Sequence, residues 1–306
     1  MVAPDRDKLR RSFRLARPPA RPGEARADGE VEAEAMSAPP ASPRQPGMRE
    51  FLLRRQQQFQ GPPRPVVALP PGEVVDLGQG PLWRRQLRYP LAHTHGSVPL
   101  GRARRLDGDR LAALAREPAF AALDVDRCLF FDTETTGLAG GAGTVVFAYG
   151  LAWFEPDGLV LEQLFLRDFG EEPAMLQLVA ERLRARPVSV TFVGKSYDRH
   201  RIAARMAVHK VRSPVLTAPH LDLYHVVRRS CARDWPDSRL RTAEQRLLQL
   251  DRDDDLPGSE APAAFLDWIR DHTGPVDRVL EHNRLDVLSL VALLGALAGG
   301  EARHEA

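Results

Sequence analysis

Two carboxylates stand one residue apart at the end of a short apolar run. The sequence from Cys128 to Glu134 is CLFFDTE, and its two acids are Asp132 and Glu134. An apolar run too short for a helix predicts a buried strand. Side chains two positions apart in a strand point to the same side, so both carboxylates are expected side by side at the strand end. Neighbouring anions repel each other, which favours a hard divalent cation such as Mg²⁺ or Mn²⁺ between them.

Two more acids occur downstream at positions that suit the same chemistry. Asp198 follows a second apolar run and a break at Gly194, and Asp286 lies in a helical pattern that is apolar from Val287 onward. A buried carboxylate costs free energy unless it is paired or metal-bound. His282 precedes Asp286 by one helical turn, so its imidazole could take a proton from a metal-activated water. The alternatives are an N-cap role for Asp198 and a surface pair of His282 with Asp286.

Taken together, the motifs resemble a known superfamily. Asp132-x-Glu134, the GKSYD segment that ends at Asp198, and His282-x-x-x-Asp286 resemble the acid set of the DnaQ-like (DEDD) 3′–5′ exonucleases, which have a ribonuclease H-like fold. The segments FFDTETTGLAGGAGT, GKSYD, LDLYHVVRR and EHNRLDVLSL are most similar to the YprB-type branch of predicted exonucleases. The resemblance covers roughly residues 120–298.

This resemblance implies a metal-dependent hydrolase that removes nucleotides from the 3′ end of single-stranded DNA or RNA. The acids Asp132, Glu134, Asp198 and Asp286 would bind two divalent cations, Mg²⁺ or Mn²⁺. His282 is the candidate general base, although relatives with a catalytic histidine place it five residues before the last aspartate rather than four. The alternatives are a structure-specific endonuclease on the same fold and a nucleic-acid-binding module with little chemistry.

Other residues are candidates for contacts with nucleic acid. Trp83, Arg84, Arg85 and Arg88 interleave an aromatic ring with cations, a pattern that can stack on bases and pair with phosphates. A packed hairpin with a solvated arginine face explains that pattern as well. The other candidates are Lys195, for which a solvent-facing lysine at a helix start is the alternative, and Thr135 in the first acidic motif.

Two nearby features are given simpler interpretations. The run of acids and one arginine from Asp251 to Asp255 does not have the spacing of a calcium loop, so a solvated turn is predicted. Asp222 follows a short predicted strand, and the resemblance gives it a supporting role at the sheet edge. Neither feature is assigned to the metal site.

The element pattern predicts an α/β fold with a ribonuclease H-like mixed sheet. Three antiparallel strands are expected at 127–132, 145–154 and 159–166, with a Pro-Asp-Gly turn between the last two. Parallel strands should follow at 188–193 and 219–223, alternating with helices that cover both faces of the sheet. Helices are predicted at 171–185, 198–207, 222–231, 239–250, 260–271 and 275–298.

Charged residues are unevenly distributed along the 306-residue chain. Residues 1–120 carry 21 Lys and Arg against 13 Asp and Glu, whereas residues 121–306 carry 22 against 28. A basic N-terminal part joined to an acidic part suits a grip for a polyanion beside an acid-lined metal site. The predicted divisions are a disordered basic tail (1–47), an N-terminal extension that is a possible nucleic-acid grip (48–120), an exonuclease domain (121–298) and a C-terminal tail (299–306).

Cysteine content and hydropathy bear on the compartment. The two cysteines, Cys128 and Cys231, have neither a disulfide framework nor zinc-ligand spacing, which fits a reducing cytoplasm. The longest apolar stretch, residues 287–298, is too short to cross a bilayer. We therefore expect a cytoplasmic protein with no membrane span, and the sequence identifies no protein partner.

Overall fold

The structure of the chain, a computed structural model, describes residues 64–137, 143–231, 235–252 and 254–299. These residues belong to one compact unit, Gly61–Ala306. The predicted tail 1–47, the start of the predicted extension from 48 to 63, and residues 300–306 lie outside the described residues.

A seven-stranded mixed sheet forms the centre of the fold, with the strand order β1-β2-β7-β6-β5-β8-β9. Strands β5, β6 and β7 form an antiparallel meander, and β8 and β9 run parallel to β5. This confirms the predicted α/β class and the change from antiparallel to parallel strands. The strands of the sheet are β1 Glu73–Asp76, β2 Pro81–Tyr89, β5 Cys128–Thr135, β6 Val146–Glu155, β7 Gly158–Phe165, β8 Val188–Thr191 and β9 His220–Asp222, and a separate small pair is β3 Thr94–His95 with β4 Val98–Pro99.

Strand β5 extends further than predicted. It continues to Thr135, beyond the predicted end at residue 132, so Glu134 as well as Asp132 lies within the strand. Its register against β6 shifts between Glu134 and Thr135. Such an irregularity bends a strand and re-aims its side chains, and it is common beside active sites.

The sheet also contains two strands from the predicted N-terminal extension. Strand β1 pairs antiparallel with β2, and β2 pairs antiparallel with β7 over seven residues from Trp83 to Tyr89. The sequence indicated only short β-like pieces here, because Pro and Gly interrupt the segment. Residues 73–89 therefore extend the antiparallel side of the sheet.

Helices cover both faces of the sheet because strand β5 is apolar on both. Leu129 and Phe131 pack into one hydrophobic cluster, and Cys128 and Phe130 pack into the other. No helix in the described ranges is long and apolar enough to cross a membrane. The helices are α1 Gly108–Ala115, α2 Glu172–Ala185, α3 Asp198–Val208, α4 Leu223–Ser230, α5 Leu240–Ala243 followed by a π turn Glu244–Leu248, α6 Ala261–Asp271 and α7 Val276–Gly299.

Helix α7 lies close against the centre of the sheet. Gly150 of β6 stands opposite Asp132 of β5, and a Cβ placed on Gly150 would lie 2.4 Å from Asn283 Oδ1. Glycine is therefore required for this close approach. The contact places the polar start of α7 beside the acids of β5.

Candidate active site

Asp132 lies where β5 meets α7. Its Oδ2 accepts a hydrogen bond from Asn283 Nδ2 at 2.9 Å. Burial, followed by the charges of Asp286 and Asp198, raises the pKa of Asp132 well above its usual range, while the bond from Asn283 acts in the opposite direction. The hydrogen bonds from Asn283 and from the Thr133 backbone therefore do not compensate for burial and for the negative charge around this carboxyl group.

Glu134 is buried, with 8% of its surface accessible to solvent. Burial raises the pKa of Glu134 well above its usual range, and the charges of Asp132, Asp286, Asp198 and Asp255 raise it further. Carboxylates from β5, α3, α7 and the segment before α6 thus act on one another electrostatically. Such a cluster favours protons or cations.

Asp198 is the first residue of α3 and faces the sheet. Its Oδ1 accepts a hydrogen bond from the Thr133 hydroxyl at 3.0 Å, and the N-cap of the helix is Tyr197. Burial raises the pKa of Asp198 to about 6, although the bond from Thr133 and the charge of Arg201 lower it. The side chain is therefore directed at β5, as the metal-ligand interpretation requires.

Asp286 is paired with an arginine that sequence reasoning missed. Arg252 Nη1 donates to Asp286 Oδ1 at 2.6 Å and to Asp255 Oδ2 at 3.1 Å. Arg252 Nη2 pairs with Glu244 and contacts Ser289 Oγ at 3.1 Å. Only 9% of Arg252 is exposed, so this guanidinium is an internal counter-charge for the acidic cluster.

The imidazole of His282 lies between two carboxylates. Its Nδ1 is 2.7 Å from Asp255 Oδ2, and its Nε2 is 3.5 Å from Asp286 Oδ2. The predicted solvated turn at 251–255 is therefore wrong for Arg252 and Asp255, which are both largely buried and paired. Asp255 and His282 are 27 residues apart in the sequence, and Arg252 and Asp286 are 34 apart. No local sequence pattern predicts contacts over such separations.

Asp222 shapes the turn that leads to Asp198. It caps helix α4 by accepting from Tyr224 N, and it also accepts from the backbone N–H groups of Val193 at 2.8 Å and Lys195 at 3.0 Å. The carboxylate is 4% exposed and faces these donors. Its place is beside the acid cluster rather than in it.

The interleaved aromatic and cationic residues of β2 form part of the packed sheet. Trp83 is 5% exposed and packs edge-on against Phe165, so its ring offers no face for base stacking. Arg84 pairs with Glu73 at 2.6 Å, and Arg88 pairs with Glu155 at 2.7 Å. Strands β7 and β6 lie between β2 and β5. The structure does not bring Trp83, Arg84, Arg85 or Arg88 to the acid cluster.

The last predicted contact residue, Thr135, lies at the end of β5. Its hydroxyl donates to the carbonyl of Gly137 at 3.3 Å. Thr135 directly follows Glu134 in the same strand. Of the predicted contacts, Thr135 and Lys195 are on segments that carry acids of the cluster.

The fit of the cluster to divalent cations can be judged from its chemistry. Within the described ranges, no three or more carboxylate, imidazole or thiolate groups are arranged to hold a metal ion as they stand. The four predicted ligands are nevertheless all carboxylates, and Mg²⁺ and Mn²⁺ prefer carboxylate oxygens. Burial and, after it, mutual repulsion raise the pKa of Asp132 and Glu134, as expected for carboxylates whose charge is only partly neutralised. The donor set fits hard divalent cations.

A cavity of about 460 Å³ opens beside the acids. Asp132 and Asp286 form part of its wall, so the cluster is accessible from this side. A cavity of this size lies within the range of small-molecule sites. The remaining lining residues are Phe192, Val193, Tyr224, Asp237, Ser238, Arg239, Leu240 and Leu290.

The segment that runs from β5 to α7 matches a known protein family. The sequence profile of RNase_H_2, in the RNase_H superfamily, matches residues 129–298. The chain therefore belongs to the RNase H superfamily of nucleases, as its motifs and fold indicated. All four acids and His282 fall inside the matched residues.

Individual relatives can also be named. The chain is 32% identical over 212 residues to the uncharacterized protein YprB of Bacillus subtilis (strain 168), covering 68% of this chain and 51% of that protein. This confirms the resemblance to the YprB branch, and the chain spans about half the length of this curated relative. The structure of the family B DNA polymerase from the hyperthermophilic archaeon Pyrobaculum calidifontis matches with 15% identity over 56% of this chain and 27% of that chain, at a TM-score of 0.42.

Proposed function

We propose that this chain is a metal-dependent 3′–5′ exonuclease of the DEDD type. The observation that supports this most directly is the grouping of Asp132, Glu134, Asp198 and Asp286 from β5, α3 and α7. Burial raises the pKa of Asp132, Glu134 and Asp198, and mutual repulsion adds to the shift for the first two. Carboxylates kept together at this electrostatic cost are typical of functional sites.

The four acids would hold two Mg²⁺ or Mn²⁺ ions. When bound, such ions supply Lewis-acid activation of water and charge stabilisation at the leaving 3′ oxygen. Asp132 is oriented for this role by Asn283, and Asp198 by Thr133. Each of these bonds fixes the orientation of the carboxyl group that accepts it.

His282 is the proposed general base, and Asp255 is the residue that positions it. With a proton on Nδ1, the ring donates to Asp255 Oδ2 at 2.7 Å, and Nε2 remains a proton acceptor. Nε2 lies on the Asp286 side, 3.5 Å from Oδ2. The four-residue spacing therefore still directs the accepting nitrogen towards the acids.

The substrate in this proposal is the 3′ end of single-stranded DNA or RNA. The 3′-to-5′ polarity comes from the resemblance of the motifs, and hydrolysis at phosphate comes from the chemistry of the acids. Lys195 and Thr135 are proposed to contact the strand. Thr135 directly follows Glu134, and Lys195 lies three residues before Asp198.

One observation favours a second candidate, a nucleic-acid-binding module with little chemistry. Arg252 already supplies a positive charge to Asp286 at 2.6 Å. A carboxylate paired in this way depends less on a metal ion for its charge balance. Such a protein would bind a strand without cutting it.

A cleavage assay separates these functions. Purified protein is incubated with 5′-labelled single-stranded DNA and RNA in Mn²⁺, Mg²⁺ or EDTA, and the products are resolved at single-nucleotide length. The proposal predicts a metal-dependent ladder that shortens from the 3′ end. Defined internal fragments would instead indicate an endonuclease, and binding without cleavage would indicate the second candidate.

A further inference from the structure

The small β3–β4 hairpin, residues 94–99, contacts the groups that hold Arg252. His95 of β3 is buried, and its Nε2 is 2.8 Å from the Oγ of Ser289 in α7. The same oxygen accepts a hydrogen bond from Arg252 Nη2 at 3.1 Å. Because His95 and Ser289 are 194 residues apart in the sequence, only the folded chain brings them together. The hairpin thus reaches Arg252 through a single hydroxyl group.

The turn of the hairpin also supports the carboxylate that pairs with Arg252 Nη2. The backbone N–H of Ser97 donates to the carbonyl of Leu248 at 2.7 Å. Leu248 ends the π turn that begins at Glu244, and Glu244 pairs with Nη2. Gly96 has a φ of 59°, and a Cβ there would overlap the Leu248 carbonyl oxygen, so this contact requires glycine. The hairpin therefore supports both the hydroxyl group and the carboxylate that Nη2 contacts.

The other end of the same guanidinium contacts the acids. Arg252 Nη1 donates to Asp286 Oδ1 at 2.6 Å and to Asp255 Oδ2 at 3.1 Å. A guanidinium is planar and rigid, so contacts that fix Nη2 also fix the direction of Nη1. Asp255 Oδ2 is in turn 2.7 Å from His282 Nδ1. The orientation of Arg252 therefore affects one proposed metal ligand and the carboxylate that orients the proposed base.

The imidazole of His95 is uncharged in these surroundings. Burial, and after it the charge of Arg252, lowers the pKa of His95 to about 3. A neutral ring adds no second positive charge beside Arg252, so it acts through its hydrogen bond and its packing. An apolar side chain could fill the same volume, but the buried Ser289 hydroxyl would then lose this contact. A polar ring at position 95 therefore suits the alignment of Ser289.

We propose that His95 is a positioning residue for the acid cluster, which acts through Ser289 on the orientation of Arg252 and so on Asp286 and Asp255. The inference rests on the proposed nuclease function and adds the β3–β4 hairpin to the machinery of the site. This hairpin lies outside the residues that match the family profile. Loss of a group that orients metal ligands typically costs about 10- to 100-fold in metal affinity or activity.

The test compares His95→Leu with His93→Leu and His95→Gln. The ring of His93 stands against Tyr89 rather than Ser289, so His93→Leu is the matched control in the same segment. Glutamine keeps a polar group directed at Ser289, so His95→Gln should restore most of what His95→Leu loses. Urea denaturation establishes that each protein is folded. Ser289→Ala interrupts the same path by removing one oxygen, and it replaces His95→Leu if that protein does not fold.

The first measurement needs neither metal nor substrate. In ¹⁵N NMR, the Nη protons of an immobilised guanidinium give separate, slowly exchanging signals, and those of Arg252 are assigned by their loss in Arg252→Lys. We expect these signals in wild type, His93→Leu and His95→Gln, and we expect them to merge in His95→Leu. Unchanged Arg252 signals in His95→Leu would overturn the proposal.

Calorimetric titration with Mn²⁺ and cleavage kinetics then connect this orientation to the site. We expect His95→Leu to bind Mn²⁺ about tenfold more weakly than wild type and to have a lower kcat with nearly unchanged KM. Wild-type Mn²⁺ affinity and kcat in His95→Leu would overturn the positioning role and leave the nuclease proposal standing. A wild type that neither binds Mn²⁺ nor cleaves would overturn the nuclease proposal instead, and the NMR comparison would still decide whether His95 orients Arg252.

Discussion

At the scale of single residues, His282 is the group whose surroundings most directly suggest a chemical role. It is held between Asp255 and Asp286, at 2.7 Å and 3.5 Å. A carboxylate that fixes the orientation of a histidine ring also fixes which nitrogen accepts a proton. The proposed role of His282 therefore depends on Asp255, a residue outside the acid motifs.

Replacing His282 tests this role. We expect His282→Ala to lower kcat by about 10²–10⁴, the usual contribution of a general base, with a smaller change in KM. Asp255→Asn should lower kcat less, because the ring remains but loses its orienting charge. Steady-state kinetics on a labelled strand measures both, and a kcat of His282→Ala close to wild type would remove His282 from the mechanism.

Arg252 is expected to matter for stability. Its guanidinium is buried and pairs with Asp286, Asp255 and Glu244, so Arg252→Met leaves those carboxylates uncompensated. We expect a loss of about 3–5 kcal/mol in the free energy of unfolding, measured by urea denaturation. Arg270→Met, which removes exposed ion pairs with Asp267 and Asp271, is the control and should cost about 1 kcal/mol or less. Equal losses in the two variants would show that the buried ion pairs of Arg252 stabilise the fold no more than the exposed pairs of Arg270 do.

At the scale of elements, the site depends on how closely helix α7 approaches the sheet. Asn283 and Asp286 come from α7, whereas Asp132 and Glu134 come from β5. Gly150 sets the distance between these elements, since Asn283 Oδ1 and Val287 Cγ2 lie where its Cβ would be. The acids can be brought together only while this contact is kept.

Adding one methyl group at Gly150 should separate the acids. The new Cβ would meet Asn283 Oδ1 at 2.4 Å and Val287 Cγ2 at 2.7 Å, so Gly150→Ala must displace α7. We expect a loss of about 1–3 kcal/mol in the free energy of unfolding, together with loss of cleavage. Gly143→Ala meets nothing within 4 Å and is the control. Full activity in Gly150→Ala would contradict the proposed role of this contact.

At the scale of the whole molecule, the acid cluster should make stability depend on pH. The pKa of Asp198 is raised from 3.8 to about 6, so the folded state binds more protons than the unfolded state between these values. Stability contributed by this group is therefore present below about pH 4 and lost as pH rises towards 6. The difference corresponds to roughly 3 kcal/mol.

Removing the charge of Asp198 should remove this dependence. We expect Asp198→Asn in EDTA to be more stable than wild type at pH 7 and to change less between pH 4 and 6. The measurement is the free energy of unfolding from urea denaturation across this range. A steeper dependence in the variant than in wild type would show that the carboxyl group is not repelled in the folded state.

Much of this architecture could be predicted because its signals are local. The apolar run before Asp132, the turn residues Pro156 and Asp157, and the long apolar pattern after Asp286 each identify an element within a few residues. The positions of the predicted acids relative to these elements then follow. Strands β1 and β2 were predicted less well, since their pairing with β7 is a long-range contact.

The contacts that were missed have no local signal. Arg252 and Asp255 lie in a polar segment that resembles a solvated turn, and only the folded chain brings them to α7. The pattern around Trp83 was misleading because it suggested an exposed residue where the fold places a buried one. Alternating aromatic and cationic residues suggested an exposed surface, but the neighbouring strands bury the ring.

If the four acids form the metal site of a nuclease, the loss of Asp132 alone should abolish cleavage. The measurement is the cleavage rate of Asp132→Ala relative to Asp157→Ala, an exposed turn acid, on a 5′-labelled strand in Mn²⁺. We predict that Asp132→Ala remains folded and shows no detectable cleavage, while Asp157→Ala behaves as wild type. A rate for Asp132→Ala within about tenfold of wild type, roughly 1.4 kcal/mol in activation free energy, would show that these acids are not the metal site of a nuclease.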